Sequence, residues 1–210
     1  MTKKRKWLIA IVIVLPIIIV GLSGGCASTS LPPKLTKAQL DEIAKTHFAV
    51  TVGVEDFKYP VYSEKLTKAL QRTGLFDKVE PIKSFKEPPA YVARVERTIY
   101  GTAAIPILTG LSFGLIPTTV QEEHGHSFSL TATEGSNRKI PIEFSHRGPT
   151  TLGWWAVILN MLPNRTSGDV YKHARFNQSF AWTVVSHKSE IAPEISPEAN
   201  LRIETGAKNR

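Results

Sequence analysis

A single cysteine, Cys26, stands among the 210 residues, so no disulfide can form within the chain and any fold must stand on its packed core alone. What precedes Cys26 reads as an address. Lys3, Lys4, Arg5 and Lys6 form a positive n-region, and Trp7 to Val20 is an apolar run interrupted only by Pro16. Leu22-Ser23-Gly24-Gly25 then leads into the cysteine with small residues, the order expected of a secretory signal peptide over residues 1–25. The apolar run of 14 residues falls short of the roughly 20 needed to span a bilayer.

Small residues directly ahead of a lone cysteine resemble the lipobox of bacterial lipoproteins. Ser23 stands where leucine is commonest in that pattern, with Leu22 one place earlier. The resemblance implies that Cys26 is acylated and becomes the new N-terminus, anchored in the membrane by its lipid. Ala27 after it resembles the class of enteric lipoproteins sorted to the outer membrane, facing the periplasm. An uncleaved anchor helix in the inner membrane and ordinary cleaved secretion are the alternatives.

Beyond residue 25, 185 residues remain, enough for one domain with a sizeable core. The formal charge of +8 overstates the domain's basicity. Four of the 26 basic residues lie in the leader, which leaves 22 against 18 acidic residues, a net of +4 without clustered Lys/Arg runs. Nucleic acid is therefore not an expected partner.

Ala27 to Lys34, small and polar with two prolines, is expected to belong to a lipidated tether over residues 26–35. A single α+β domain is expected over 36–189, followed by a polar, disordered tail over 190–210. Thr36 and Gln39 form a capping-box pattern for a short helix to Lys45. Phe48–Val54 reads as a buried strand, and Tyr62–Thr73 as a helix closed by Gly74. Leu75–Val79, Tyr91–Ile99, Gln121–Ala132 and Lys139–Phe144 read as extended, the last two joined by a turn at Gly135-Ser136-Asn137. Asp169–Lys188 returns to helical spacing, with Phe176, Phe180, Ala181 and Val184 on one stripe and Ser167 or Asp169 as its cap. The expected architecture is a sheet of about four strands packed by helices, with a hydrophobic segment and an apolar helix containing tryptophan.

The stretch Val52-Gly53-Val54-Glu55-Asp56-Phe57, a helix, and then Thr73-Gly74-Leu75-Phe76-Asp77-Lys78-Val79 resembles small envelope α/β domains. These include the N-terminal domain of TolB, the curli secretion lipoprotein and the activator lipoproteins of peptidoglycan synthases. Leu111-Ser112-Phe113-Gly114-Leu115-Ile116-Pro117 resembles the "GLIP" signature of Gram-negative outer-membrane lipoproteins of unknown function. The resemblance covers about residues 48–185 in its order of elements, and it implies no reaction and no catalytic residue.

Two uncharged stretches stand out. Thr98 to Gln121 has 24 residues without a charge, but Pro106 and Pro117 bracket only ten, about 15 Å as a helix and too short to span. Gly148 to Asn164 has 17, including Trp154, Trp155, Val157, Ile158, Leu159, Met161 and Leu162, flanked by Arg147 and Arg165. As one helix it is apolar on both faces, which requires burial in a core or in lipid, and adjacent tryptophans suit a bilayer interface. Either both stretches are core, or Leu108, Leu111, Phe113, Leu115 and Ile116 join Trp154, Trp155, Ile158 and Leu162 in a surface for a membrane or a partner protein.

Residues that could carry chemistry are sparse. His124 and His126, two apart, would point the same way on a strand, yet no third ligand stands nearby, and no metal is expected. No cofactor-binding glycine loop, Gly-x-Ser-x-Gly or His-Glu-x-x-His pattern occurs. Glu55, Asp56 and Glu64 are carboxylates from which a pair could be assembled. The expectation is a non-enzymatic, lipid-anchored scaffold, assembly or regulatory factor with an envelope protein partner. A periplasmic carrier of a small apolar ligand and a cell-wall hydrolase are the alternatives.

Overall fold

The fold described here is that of a computed structural model, covering residues 27–99, 112, 115–133 and 138–191. In chain order the strands are β1 (Ala27–Ser30), β2 (Phe48–Val54), β3 (Phe76–Pro81), β4 (Tyr91–Arg97), β5 (Thr118–Ala132), β6 (Lys139–Leu152) and β7 (Arg165–Thr166). The helices are α1 (Lys37–Lys45), α2 (Pro60–Thr73), α3 (Trp155–Leu159), α4 (Ala174–Ser186) and α5 (Lys188–Ile191). The strands form a mixed seven-stranded sheet in the order β3-β2-β4-β5-β6-β1-β7. The α+β class is as expected, but a sheet of about four strands is not what forms. The strands that break the count are polar or very short: β1 reads Ala-Ser-Thr-Ser and β7 has two residues. Neither carries the apolar alternation by which a strand is recognised in sequence.

The chain divides into two compact units, with β5 and β6 contributing to both. The larger contains the described residues of 34–99, 125–145 and 174–191. Here β2 pairs in parallel with β3 and with β4, while β4 runs antiparallel to β5 from Tyr91↔Ala132 to Arg97↔Ser127. Helix α1 starts where the capping box requires. Thr36 N–H donates to Gln39 Oε1 at 2.8 Å and Gln39 N–H to Thr36 Oγ1 at 3.3 Å, satisfying two donors that a helix start leaves open. Helix α2 has Pro60 in its first turn, which needs no N–H there, and closes on Gly74 at φ 65°.

Helix α4 packs against both α1 and α2 and buries Phe176, Phe180, Ala181 and Val184, the expected stripe. Its rings meet those of the sheet, with Phe144–Phe176 centroids 5.0 Å apart and Phe128–Phe180 6.0 Å. Burying each such side chain stabilises by roughly 1.5–3 kcal/mol. The helix begins five residues later than the spacing suggested, because the Asp169 carboxylate caps a 3-10 turn at Val170–Lys172 by accepting from Tyr171 N–H at 3.1 Å.

The fold also continues past the expected start of the tail. Ile191 is buried, its carbonyl accepts from the Tyr91 hydroxyl, and Glu190 pairs with Arg138. The boundary at 189/190 is therefore too early.

The smaller unit contains the described residues of 27–33, 112–124 and 146–173. Ala27–Ser30 is not a free tether. It pairs antiparallel with β6 (Ala27↔Leu152 to Thr29↔Thr150) and with β7 (Thr29↔Thr166, Ser30↔Arg165). Leu31 is buried, and its N–H donates to the Asn164 carbonyl at 2.9 Å. Small hydroxyl residues make burial of so polar a strand tolerable, since Thr150 Oγ1 bridges to Thr29 Oγ1 at 3.2 Å and to Glu122 Oε2 at 2.6 Å.

The expected helix from Gly148 is mostly something else. Gly148–Leu152 completes β6, and only Trp155–Leu159 is helical. Pro149, Thr150 and Thr151 suit a strand better than a helix interior.

Candidate functional site

In the smaller unit, β6 ends at Leu152 directly opposite Ala27, where β1 begins. Thr119 Oγ1 lies 3.1 Å from Thr151 Oγ1, and Glu122 meets Thr150. The partner number falls as the β5 number rises, so β5 is antiparallel to β6 and also begins at this end. Three described segments thus stand at this end of the sheet: residues 115–117 ahead of β5, residues from 153 after β6, and Ala27 at the start of β1.

Two of those segments expose large apolar side chains. Leu115 and Ile116 are 73% and 51% exposed, carried on a turn in which Ser112 accepts from both their N–H groups. After β6, Gly153 takes φ 106°, open to glycine and strained for other residues, and turns the chain into α3. There Trp155 is 55% exposed, Ile158 56% and Met161 80%, with Val157 and Leu162 exposed as well. Only Ala156 of α3 is buried.

Leu115, Ile116, Trp155, Ile158 and Leu162 are thus exposed rather than packed in the core. Trp154 is half-buried, while Leu108, Leu111 and Phe113 lie outside the described residues. Met161 is absent from the expected set, and the uncharged run around it was its only signal in the sequence.

Polar bonds tie this apolar segment to the first strand. Asn160 Nδ2–H donates to the Ala27 carbonyl at 3.0 Å. The Arg165 guanidinium donates to the carbonyls of Ser28 and Pro149, both at 3.0 Å. That arginine closes the uncharged run while spending its donors on backbone that flanks β1.

The two histidines of the His-Gly-His stretch have separate surroundings. His124 is 3.2 Å from Glu122 and meets the Tyr171 ring edge-on at 5.9 Å. His126 is buried against Phe180 at 4.9 Å and Phe176 at 6.4 Å, and that burial pushes its pKa down to about 4. His146 donates from Nε2 to the Ser30 carbonyl at 3.2 Å, and burial holds its pKa below the ordinary value. Among the described residues no group of three or more His, Cys, Asp or Glu is placed to hold a metal ion.

The three carboxylates that invited pairing are committed to different cations. Glu55 takes Arg94 through two bonds of 2.5 and 3.0 Å, Asp56 takes Lys83, and Glu64 takes Lys68. The Lys68 hydrogen bond and charge lower the Glu64 pKa. With each carboxylate neutralised by its own partner, they form no converging acid–base pair.

No helix among the described residues is long and apolar enough to cross a membrane. Compared with protein-family models, with curated proteins and with solved structures, the chain matches none.

Proposed function

We propose that this is a lipid-anchored protein of the bacterial envelope, acylated at Cys26 and held at the periplasmic face of the outer membrane, where it acts as a non-enzymatic scaffold, assembly or regulatory factor. The observation that carries this reading is that β1 begins at Ala27, the residue covalently next to Cys26. Ala27, the next residue, already belongs to a strand paired on both sides. A lipid on Cys26 then enters the folded domain with no linker between, and consecutive Cα atoms are only about 3.8 Å apart. Such an arrangement suits a protein whose work is to present a domain at a fixed height and orientation above the bilayer. The basic n-region, the 14-residue apolar run and the small residues before the cysteine support the address.

Palmitate labelling and membrane separation in a Gram-negative host test it, with Cys26 intact or changed to Ala. Label that requires Cys26 and travels with the outer membrane is the expected result. An unlabelled, uncut protein in the inner membrane would make the N-terminal apolar run an anchor and defeat the reading.

A further inference from the structure

We infer that the sheet end at which β1 and β5 begin and β6 ends is seated in the lipid leaflet that receives the chains of Cys26, with the segment Trp155–Leu162 lying along the interface. This rests on the acylation proposed above, and it commits to lipid, rather than a protein, as the occupant of the apolar surface.

The first support is position. The Ala27 carbonyl is hydrogen-bonded to Asn160, one residue beyond α3. The residue expected to carry the lipid therefore sits next to a hydrogen bond made by the exposed segment itself. The segment with the exposed apolar side chains thus holds the first described residue after the proposed acylation site.

Chemistry is the second. The 17 residues of 148–164 contain no charge, which removes the desolvation cost that an ionised group pays on entering lipid. Trp155, Ile158 and Met161 are all more than half exposed to solvent, although each is a side chain that folding ordinarily covers. A tryptophan on such a surface matches the headgroup level, where an amphipathic ring is favoured. With only five residues, α3 is far too short to span and suits lying in the plane.

Convergence is the third support. Leu115 and Ile116 come from a different part of the chain, yet Thr119 facing Thr151 brings their segment to the same sheet end. Two exposed apolar segments and Ala27, the residue after the proposed acylation site, stand at one end of the sheet.

Fluorescence quenching by brominated lipids tests the inference on the full mature protein, reconstituted into phosphatidylethanolamine–phosphatidylglycerol vesicles. The Trp155→Phe variant isolates the contribution of Trp155, and Ile158→Ser with Met161→Ser weakens the apolar surface at exposed positions. Quenching of the Trp155 emission by about twofold or more, with shielding from aqueous acrylamide, is the expected result for a ring at the interface. The double variant should lose much of both effects. Emission that is indifferent to bromolipid overturns the inference, whether acrylamide reaches the ring or a bound protein covers it. Palmitate labelling of the same preparation reports separately on Cys26. Label without quenching defeats the lipid contact alone, and absent label defeats the anchor.

Discussion

The side-chain amide of Asn160 donates to the backbone carbonyl of Ala27 at 3.0 Å, joining residues 133 positions apart. The bond pins the turn after α3 to the first strand, while the amide's Oδ1 is buried without a partner among the described residues. Asn160→Ala removes both the bond and the unpaired oxygen, so the two effects partly offset and the loss should be about 1 kcal/mol. Asn160→Asp sets a carboxylate against a carbonyl and should cost about 2–4 kcal/mol. Urea denaturation of both variants checks this, and an Asn160→Asp variant as stable as the parent would mean that the bond does not hold.

Gly125 marks a close approach of backbone to backbone in the sheet. A Cβ there would lie 2.0 Å from the Phe144 carbonyl oxygen and 2.8 Å from the Ser145 Cα, both backbone atoms with little freedom to retreat. Gly125→Ala should destabilise by about 3 kcal/mol, visible as a lower melting temperature. A wild-type melt would show that β5 and β6 separate easily.

Acid should weaken the fold through His126. Its folded pKa is pushed down to about 4 from the ordinary 6.5, first by burial and then by the charge of Lys65. The unfolded chain therefore binds a proton between these values that the folded chain does not. Stability is complete above pH 6.5 and falls as the pH drops towards 4, by up to about 1.4 kcal/mol per pH unit and about 3 kcal/mol in all. His146, also lowered by burial, acts in the same direction. His126→Phe should flatten the stability curve over this window, leaving the smaller contribution of His146. An unchanged slope would assign the acid sensitivity to other groups.

Leu115 and Ile116 distinguish surface from core directly. Changing both to Asp should leave the melting transition in detergent nearly where it was, since substitutions at exposed positions stay within about 0.5 kcal/mol. Unfolding by several kcal/mol would mean that these side chains are buried in the protein after all.

The parts of this fold that were legible in the sequence are those governed by neighbours along the chain. Thr36 and Gln39 mark a helix start because their partners lie three residues apart, and Gly74 ends α2 because only its own φ is at issue. The Phe176–Phe180–Val184 stripe follows from helical periodicity, since one face of α4 must be covered. The expected division at Cys26 likewise rests on local signals, contiguous charge, hydropathy and residue size, and it lies outside the described residues.

What only the tertiary structure decided is which groups find partners far along the chain. Ala27–Ser30 looks like a tether, because nothing local shows that Thr150 and Thr151 will pair with it and that Thr150 will bond the Thr29 hydroxyl. The apolar run after Gly148 has the composition of a core, yet β6 consumes its first five residues and carries the rest beyond the sheet's edge. Hydrophobicity along a chain states how much a segment gains by leaving water. Whether protein or lipid covers it depends on what stands opposite, and the route of the chain through three dimensions sets that.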